Sequence, residues 1–390
     1  MTKTRNLKFI ALSCDRYFDD QDDSHWKLLL QKEQQTYDGM IHMGDQIYAD
    51  SVVKAAIAAN ITDNETLREE FRKVYRRTWS HPTIRTILKH GPHWMFPDDH
   101  DILNNLDREF ITGARAHAVK AGREVFLEYQ YALHSDFDGH SVDHIYFNLK
   151  ISPNVVFMFV DTRFERTFNF NEEHSLLGSS QFTSFQNNII QFGSDPNIKN
   201  IVVFTSVPLG FFSESMSKLV YKIEQERYPS HPHIINDTLQ VLNVMKPYHD
   251  KILVVSGDVH QFVETSICDD KGICIEQLIS SGITNGSAVI HENKLFLFFT
   301  LGRYLTSHIL GQENGEDNQW YVTHKKQHYA TNYAVISVGA QGISYYGVVP
   351  DALSRSDLFK VFVFEYFLQI GGALLIVIVF AFISRFLFRK

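Results

Sequence analysis

A chain of 390 residues, 44% hydrophobic and 13% aromatic, can bury a large core as one big α/β domain or two smaller ones. A charged fraction of 21% without low-complexity tracts excludes global disorder, and a net charge of −8 without a basic run argues against a nucleic-acid groove, so no nucleic-acid partner is expected. Three cysteines cannot build a disulfide framework, whereas 19 histidines ask for a metal or acid–base explanation.

Residues 9–12 read as a first strand, since four apolar residues are too few for a secretory h-region. Gly39–Met43 reads as a second strand, ending at Gly44-Asp45. The spacing of Leu67, Phe71, Val74 and Tyr75 behind an Asp63 N-cap predicts a helix over 64–79. A short strand ending at residue 96 leads into Pro97-Asp98-Asp99-His100-Asp101, and a helix follows over 114–133. Strands 144–150 and 154–160 come next, the second ending at Asp161-Thr162-Arg163. A helix over 180–192, a strand over 200–205 and a helix over 217–227 precede the apolar run 252–255, which ends at Ser256-Gly257-Asp258-Val259-His260. Two strands flank the turn Asp269-Asp270-Lys271-Gly272. Cys268 and Cys274 face each other across that turn and read as reduced packing residues. The last strands fall near 332–338 and 342–349, and the segment 285–330 carries no assignable signal.

Beyond them, residues 366–384 are uncharged. As a helix rising 1.5 Å per residue this stretch would span about 28 Å, close to the hydrocarbon core of a bilayer. The expected organisation is a catalytic domain at 1–350, a juxtamembrane segment at 351–365, a transmembrane helix at 366–384 and a short basic tail at 385–390. Without an N-terminal signal in this sequence, the expected arrangement is a tail anchor with the catalytic domain in the cytosol, the membrane left open.

The repeated feature is a strand with metal-ligand residue types at its C-terminal tip, after strands ending at residues 12, 43, 96, 160 and 255. In α/β sheets such tips converge on one crevice. The residues there are Cys14, Asp45, Tyr48, Asp98, Asp99, His100, Asp101, Asn104, Asp161, Arg163, Asp258 and His260. Hard carboxylates beside imidazole, thiolate and phenolate make a site for more than one cation, and bound metals would remove the repulsion between crowded acids. Taken singly, Gly44-Asp45 is an ordinary turn, the acidic run around His100 a solvated loop and Cys14 a core cysteine. The weight lies in the ordered set.

That set resembles the PhoD-like (alkaline phosphatase D) family of the calcineurin-like metallophosphoesterases. The resemblance is carried by Ser13-Cys14, His42-Met43-Gly44-Asp45-Gln46-Ile47-Tyr48, Asp98-Asp99-His100-Asp101 with Asn104-Asn105, Asp161-Thr162-Arg163, Leu177-Gly178 with Gln181, and Ser256-Gly257-Asp258-Val259-His260. It implies an α/β fold, a metallophosphoesterase-type two-sheet β-sandwich flanked by helices. It also implies an Fe3+ ion beside one or two Ca2+ ions, as in purple acid phosphatases, with Mg2+, Mn2+ or Zn2+ as alternatives at the second position. By the same resemblance Cys14, Asp45 and Tyr48 are iron ligands, with Asp45 bridging, and Asp99, Asp258 and His260 are further metal ligands. His100 and His260 would serve the leaving group. Arg163 suits a phosphate contact, because guanidinium pairs bidentately with phosphate oxygens.

The implied activity is phosphatase or phosphodiesterase chemistry, a metal-activated hydroxide attacking phosphorus in line. The substrate would be a small-molecule, lipid or phosphoprotein ester. A contrasting expectation is an inactive family member that serves as a membrane-bound scaffold. The twin-arginine signal typical of the family is not seen in this sequence.

Overall fold

The computed structural model describes residues 6–106, 113–134, 144–166, 175–286, 308–312 and 319–350. Its strands are β1 (Leu7–Leu12), β2 (Gly39–Met43), β3 (His93–Phe96), β4 (Phe147–Ser152), β5 (Val155–Val160), β6 (Asn200–Thr205) and β7 (Ile252–Ser256). They continue as β8 (Phe262–Asp269), β9 (Cys274–Ser280), β10 (His308–Gln312), β11 (Gln319–His328), β12 (Tyr333–Gly339) and β13 (Gly342–Val348). The helices are α1 (Ser24–Glu33), α2 (Asp50–Ala59), α3 (Asn64–Trp79), α4 (Pro82–Leu88), α5 (Gly113–Tyr129), α6 (Ser179–Ser194), α7 (Glu214–Glu224) and α8 (Ile235–Met245).

Alternation along the strands sets the layers. In β1, Phe9 and Ala11 point to one side and join Ile41, Met43, Trp94 and Phe96 against Phe157, Phe159, Phe204, Val255 and Leu278 of the other sheet. Ile10 and Leu12 point to the opposite side, where Trp26 and Leu29 of α1 and Ile84 and Ile87 of α4 cover them. The second sheet behaves the same way: Val156, Met158, Val203 and Val254 face Phe185, Ile189, Leu239 and Leu242 of α6 and α8. The result is a sandwich of two sheets with helices outside each. The sheets have strand orders β13-β12-β1-β2-β3 and β10-β11-β8-β9-β7-β6-β5-β4. A separate apolar cluster joins α2, α3 and α5 beside the loop after β3.

The strands β1, β2 and β3 run parallel, as do β5, β6, β7 and β9. Their C-terminal tips meet. Close approach there depends on two glycines. A Cβ on Gly257 would lie 2.5 Å from the Ser13 Oγ and 2.8 Å from the Met43 carbonyl oxygen. On Gly44, at φ +89°, it would lie 2.6 Å from the Asp98 backbone nitrogen.

Two expectations change. Cys268 and Cys274, direct cross-strand partners in the β8–β9 register, form a disulfide with Cα atoms 4.0 Å apart, correcting their reading as reduced thiols. Their facing geometry was legible in the hairpin; their redox state rested on an assumed compartment. Within the unassigned segment 285–330, β10 and β11 extend the larger sheet beyond β8. The expected transmembrane helix at 366–384, with its flanking segments, lies outside the described residues, and no helix of the described residues is long and apolar enough to cross a membrane.

Candidate metal centre

The tips bring most of the sequence-identified residues together in three overlapping donor groups: Cys14, Asp45 and His260; Asp45, Asp99 and His100; and Asp98, Asp99 and Asp258. Within each group the ligand atoms lie within 4.8 Å of one another, and Asp45 and Asp99 each belong to two groups. Tyr48 joins the first, its hydroxyl 3.4 Å from the Asp45 Oδ2 and 3.3 Å from the His260 Nε2. The backbone is bent to present them: Cys14, Asp45, Asp258 and His260 have φ of 61°, 54°, 70° and 54°. Non-glycine residues in that left-handed region cost of order 1 kcal/mol or more each, and such strain collects at functional sites.

The other expected residues take supporting places. Asp101 accepts hydrogen bonds from the backbone N–H groups of Asp45, Gln46 and Asp98 at 2.8–3.0 Å, so it ties the β2 loop to the β3 loop. Asp161 accepts from the N–H groups of Arg163 and Phe164 and is locked to Gln181 of α6. Asn104 meets the site through its backbone N–H, which donates to Asp50. Arg163 is fully buried: it bonds Asp98, the Asp258 Oδ1 and Glu226 Oε1 at 3.0 and 3.1 Å, and lies 3.8 Å from the Asp99 Oδ1. It braces the carboxylates and shows no face to an incoming phosphate.

Several functional neighbours were not legible beforehand. Asp50 holds the Nδ1 of His100 at 2.8 Å, a carboxylate–histidine pair that fixes the ring. Ser281 and Asn285 follow the β9 tip. The Ser281 Oγ lies 3.2 Å from the Cys14 Sγ, and the Asn285 Nδ2 donates to the Tyr48 hydroxyl at 3.0 Å. The strand-tip rule that found the other sites applies to β9 as well and is the signal that would have found both. Glu226, 63 residues from Arg163, has no such signal.

A family model described as PhoD-like phosphatase matches residues 9–334, which contain every residue named above. The chain belongs to the PhoD-like phosphatase family. It is a metal-dependent phosphoester hydrolase. A solved structure described as that of PhoD shares its fold, with a TM-score of 0.58 at 14% identity over 94% of this chain and 77% of that one. Another similar structure is the purple acid phosphatase PPD1 from yellow lupin (Lupinus luteus) seeds, with a TM-score of 0.47 at 10% identity over 92% of this chain and 55% of that one. Among curated protein sequences nothing matches.

The electrostatics of this PhoD-like phosphatase show that its residues fit bound cations. Burial, reinforced by Asp98, pushes the carboxyls of Asp45 and Asp258 well above the ordinary range. Burial lifts Asp98 to about 7 against the pull of Arg163. Asp99 alone in the group is lowered: Arg163, His100 and two backbone N–H groups outweigh its burial. Burial and then Asp45 raise Cys14 and Tyr48 well above their usual values. The Oδ2 atoms of Asp98 and Asp258 are buried with no hydrogen-bond partner among the described residues. Acids that resist ionisation together, with orphaned oxygens aimed into one crevice, are what a protein builds when cations are to replace the protons.

Proposed function

We propose that the PhoD-like phosphatase hydrolyses phosphoesters at two or more cations held on the strand tips, with Cys14, Asp45, Tyr48 and His260 serving one end of the cage and Asp98, Asp99 and Asp258 the other. The observation that carries this reading is the sharing of Asp45 and Asp99 among three buried donor groups. Thiolate and phenolate donors suit Fe3+ and the carboxylate end suits Ca2+, with Mg2+, Mn2+ or Zn2+ as the alternatives there. When bound, such cations supply a nucleophile from water for in-line attack and neutralise charge on the phosphoryl oxygens.

The protein's own groups do the rest. His100, oriented by Asp50 and only partly buried, holds a proton for the leaving oxygen. Asp99 and Asp50 favour that protonated form against burial. His260, lowered to about 3 by burial and by His100, stays neutral and suits a ligand role, with its Nε2 beside Tyr48 and Asn285. Arg163 holds Asp98 and Asp258 in place, and Asp101 holds the loops that carry Asp45 and Asp98. A small-molecule, lipid or phosphoprotein ester would each present the same phosphoryl group.

The experiment is to compare wild-type protein and Asp45→Asn after loading with iron and calcium, magnesium or manganese. Metal content is measured alongside hydrolysis of p-nitrophenyl phosphate and of its bis-ester. Asp45→Asn should lose at least roughly 100-fold in activity and part of its bound metal, since even outer partners of metal sites cost that much. Full activity and full metal content in the variant would sink the reading.

The same proposal includes a membrane anchor at 366–384, supported by its uncharged apolar sequence. The Cys268–Cys274 disulfide favours an oxidising compartment for the catalytic domain and weighs against the expected cytosolic face. Release of the full-length protein from membranes by alkaline carbonate would remove the anchor from the proposal, and protease protection would decide the side.

A further inference from the structure

The cage described above has more negative than positive charge, and its arginine is not available to a substrate. None of the Arg163 side chain is exposed, and its guanidinium is held by Asp98, Asp258 and Glu226. A phosphomonoester with a second pKa near 6 arrives largely as a dianion at neutral pH, whereas a diester arrives as a monoanion. A site that selects monoesters therefore needs a cation that reaches solvent.

Arg16 stands in that place. It lies two residues beyond Cys14, past the β1 tip, and its backbone N–H donates to the Thr284 Oγ1 at 2.7 Å, which ties it to the loop that carries Ser281 and Asn285. Its guanidinium lies 5.9 Å from the centre of the Tyr48 ring. That ring stacks on His100 at 4.3 Å, and its hydroxyl meets Asp45, His260 and Asn285. Unlike Asp15 beside it, which is 1% exposed and turned to the Trp26 Nε1, Arg16 is half-buried and keeps contact with solvent. A guanidinium over the ring of a residue at the metal centre can follow a phosphate that enters between Tyr48 and His100, with its planar fork matched to two phosphate oxygens.

We propose that Arg16 receives the second negative charge of a phosphomonoester dianion at the mouth of the metal centre and so makes monoesters the preferred substrates, an inference that rests on the hydrolase reading above. The test uses metal-loaded full-length protein, wild type, Arg16→Met and Arg16→Lys. It measures kcat and KM for p-nitrophenyl phosphate and for the bis-ester, with orthophosphate affinity by calorimetry and metal content alongside. In Arg16→Met the monoester should lose roughly 10- to 100-fold in kcat/KM, mostly through KM, as expected for one charged hydrogen-bonding pair. The diester should lose less, so that the monoester-to-diester ratio falls about tenfold, and orthophosphate binding should weaken by a similar factor. Arg16→Lys, which keeps the charge without the fork, should recover part of both losses. An unchanged ratio, unchanged orthophosphate affinity, or loss of metal together with activity overturns the proposal. If wild-type protein hydrolyses neither ester, the hydrolase reading fails on its own, and the orthophosphate measurement still decides the role of Arg16.

Discussion

Two networks of charge lie on either side of this molecule's loop after β3. On α3 and α5, Arg68 and Arg72 run among Glu65, Glu69, Glu124 and Glu128, whose side chains are 34–66% exposed. Behind the strand tips, Arg163 meets Asp98, Asp99, Asp258 and Glu226 with none of its own side chain exposed. Both networks hold more acids than arginines. On the helices water screens the excess, and each exposed pair is worth below about 1 kcal/mol. In the cage water cannot, so the excess has to be answered by protons or by cations. Similar residue types thus give surface decoration in one place and an ion-binding cage in the other, and burial makes the difference.

The sharpest way to break this comparison is to remove the arginine from each network. Arg163→Met leaves Asp98, Asp258 and Glu226 facing each other without a cation, and should destabilise the metal-free fold by about 3–5 kcal/mol. Adding the metals that load the site should recover part of that loss in denaturant unfolding. Arg72→Ala, on the surface, should cost less than about 1 kcal/mol and less still at high salt. Equal losses for the two variants, or no metal-dependent recovery in Arg163→Met, would mean that burial does not separate the networks.

How much of this was legible in the sequence follows from the same distinction between local and long-range signals. Strand tips are local: β1, β2, β3, β5 and β7 each announce themselves by an apolar run and then a ligand residue, which is why Cys14, Asp45, Asp99 and Asp258 could be collected. The cap of α3 is local too, and the Asp63 side chain does accept from the Thr66 N–H at 2.8 Å. The helices α1, α2, α4 and α8 were missed. In α1 the apolar positions are broken by Lys27, Gln31 and Lys32, and α4 spans only seven residues, too few for its period to show. In α2 and α8 the apolar residues Val52, Val53 and Ala56, and Leu239, Val241 and Leu242, lie between polar loops that offered no marked boundary. The role of Arg163 was misjudged because its partners are far off in the chain. Asp98 lies 65 residues away and Asp258 lies 95, and nothing local tells a phosphate-facing arginine from one held by carboxylates.

Asp15 supplies a third way to bury an acid, and it sharpens the comparison at a smaller scale. Its carboxyl accepts from the Trp26 Nε1 at 3.0 Å and the Thr284 Oγ1 at 3.3 Å, both on Oδ1, while Oδ2 is buried with no hydrogen-bond partner among the described residues. Burial lifts its pKa to about 7; the Trp26 bond opposes that rise, and Asp20 and Asp23 add to it. Where the cage is read as using cations, Asp15 uses a proton. Its folded-state pKa stands above the unfolded value near 3.9. The stability it contributes is therefore fully present below about pH 4 and is lost as pH rises through about 7. Between pH 5 and pH 8 that loss amounts to about 3 kcal/mol. Asp15→Asn keeps the Oδ1 acceptor, puts an uncharged amide where Oδ2 stands, and has no proton to lose. Urea unfolding of metal-free wild type and variant at pH 5 and pH 8 should show the fall in stability shrinking by about that amount in the variant, with the gain appearing at pH 8. A variant whose stability falls as steeply as wild type would place the pH dependence in the cage acids instead, and would make Asp15 an ordinary ionised carboxylate despite its burial.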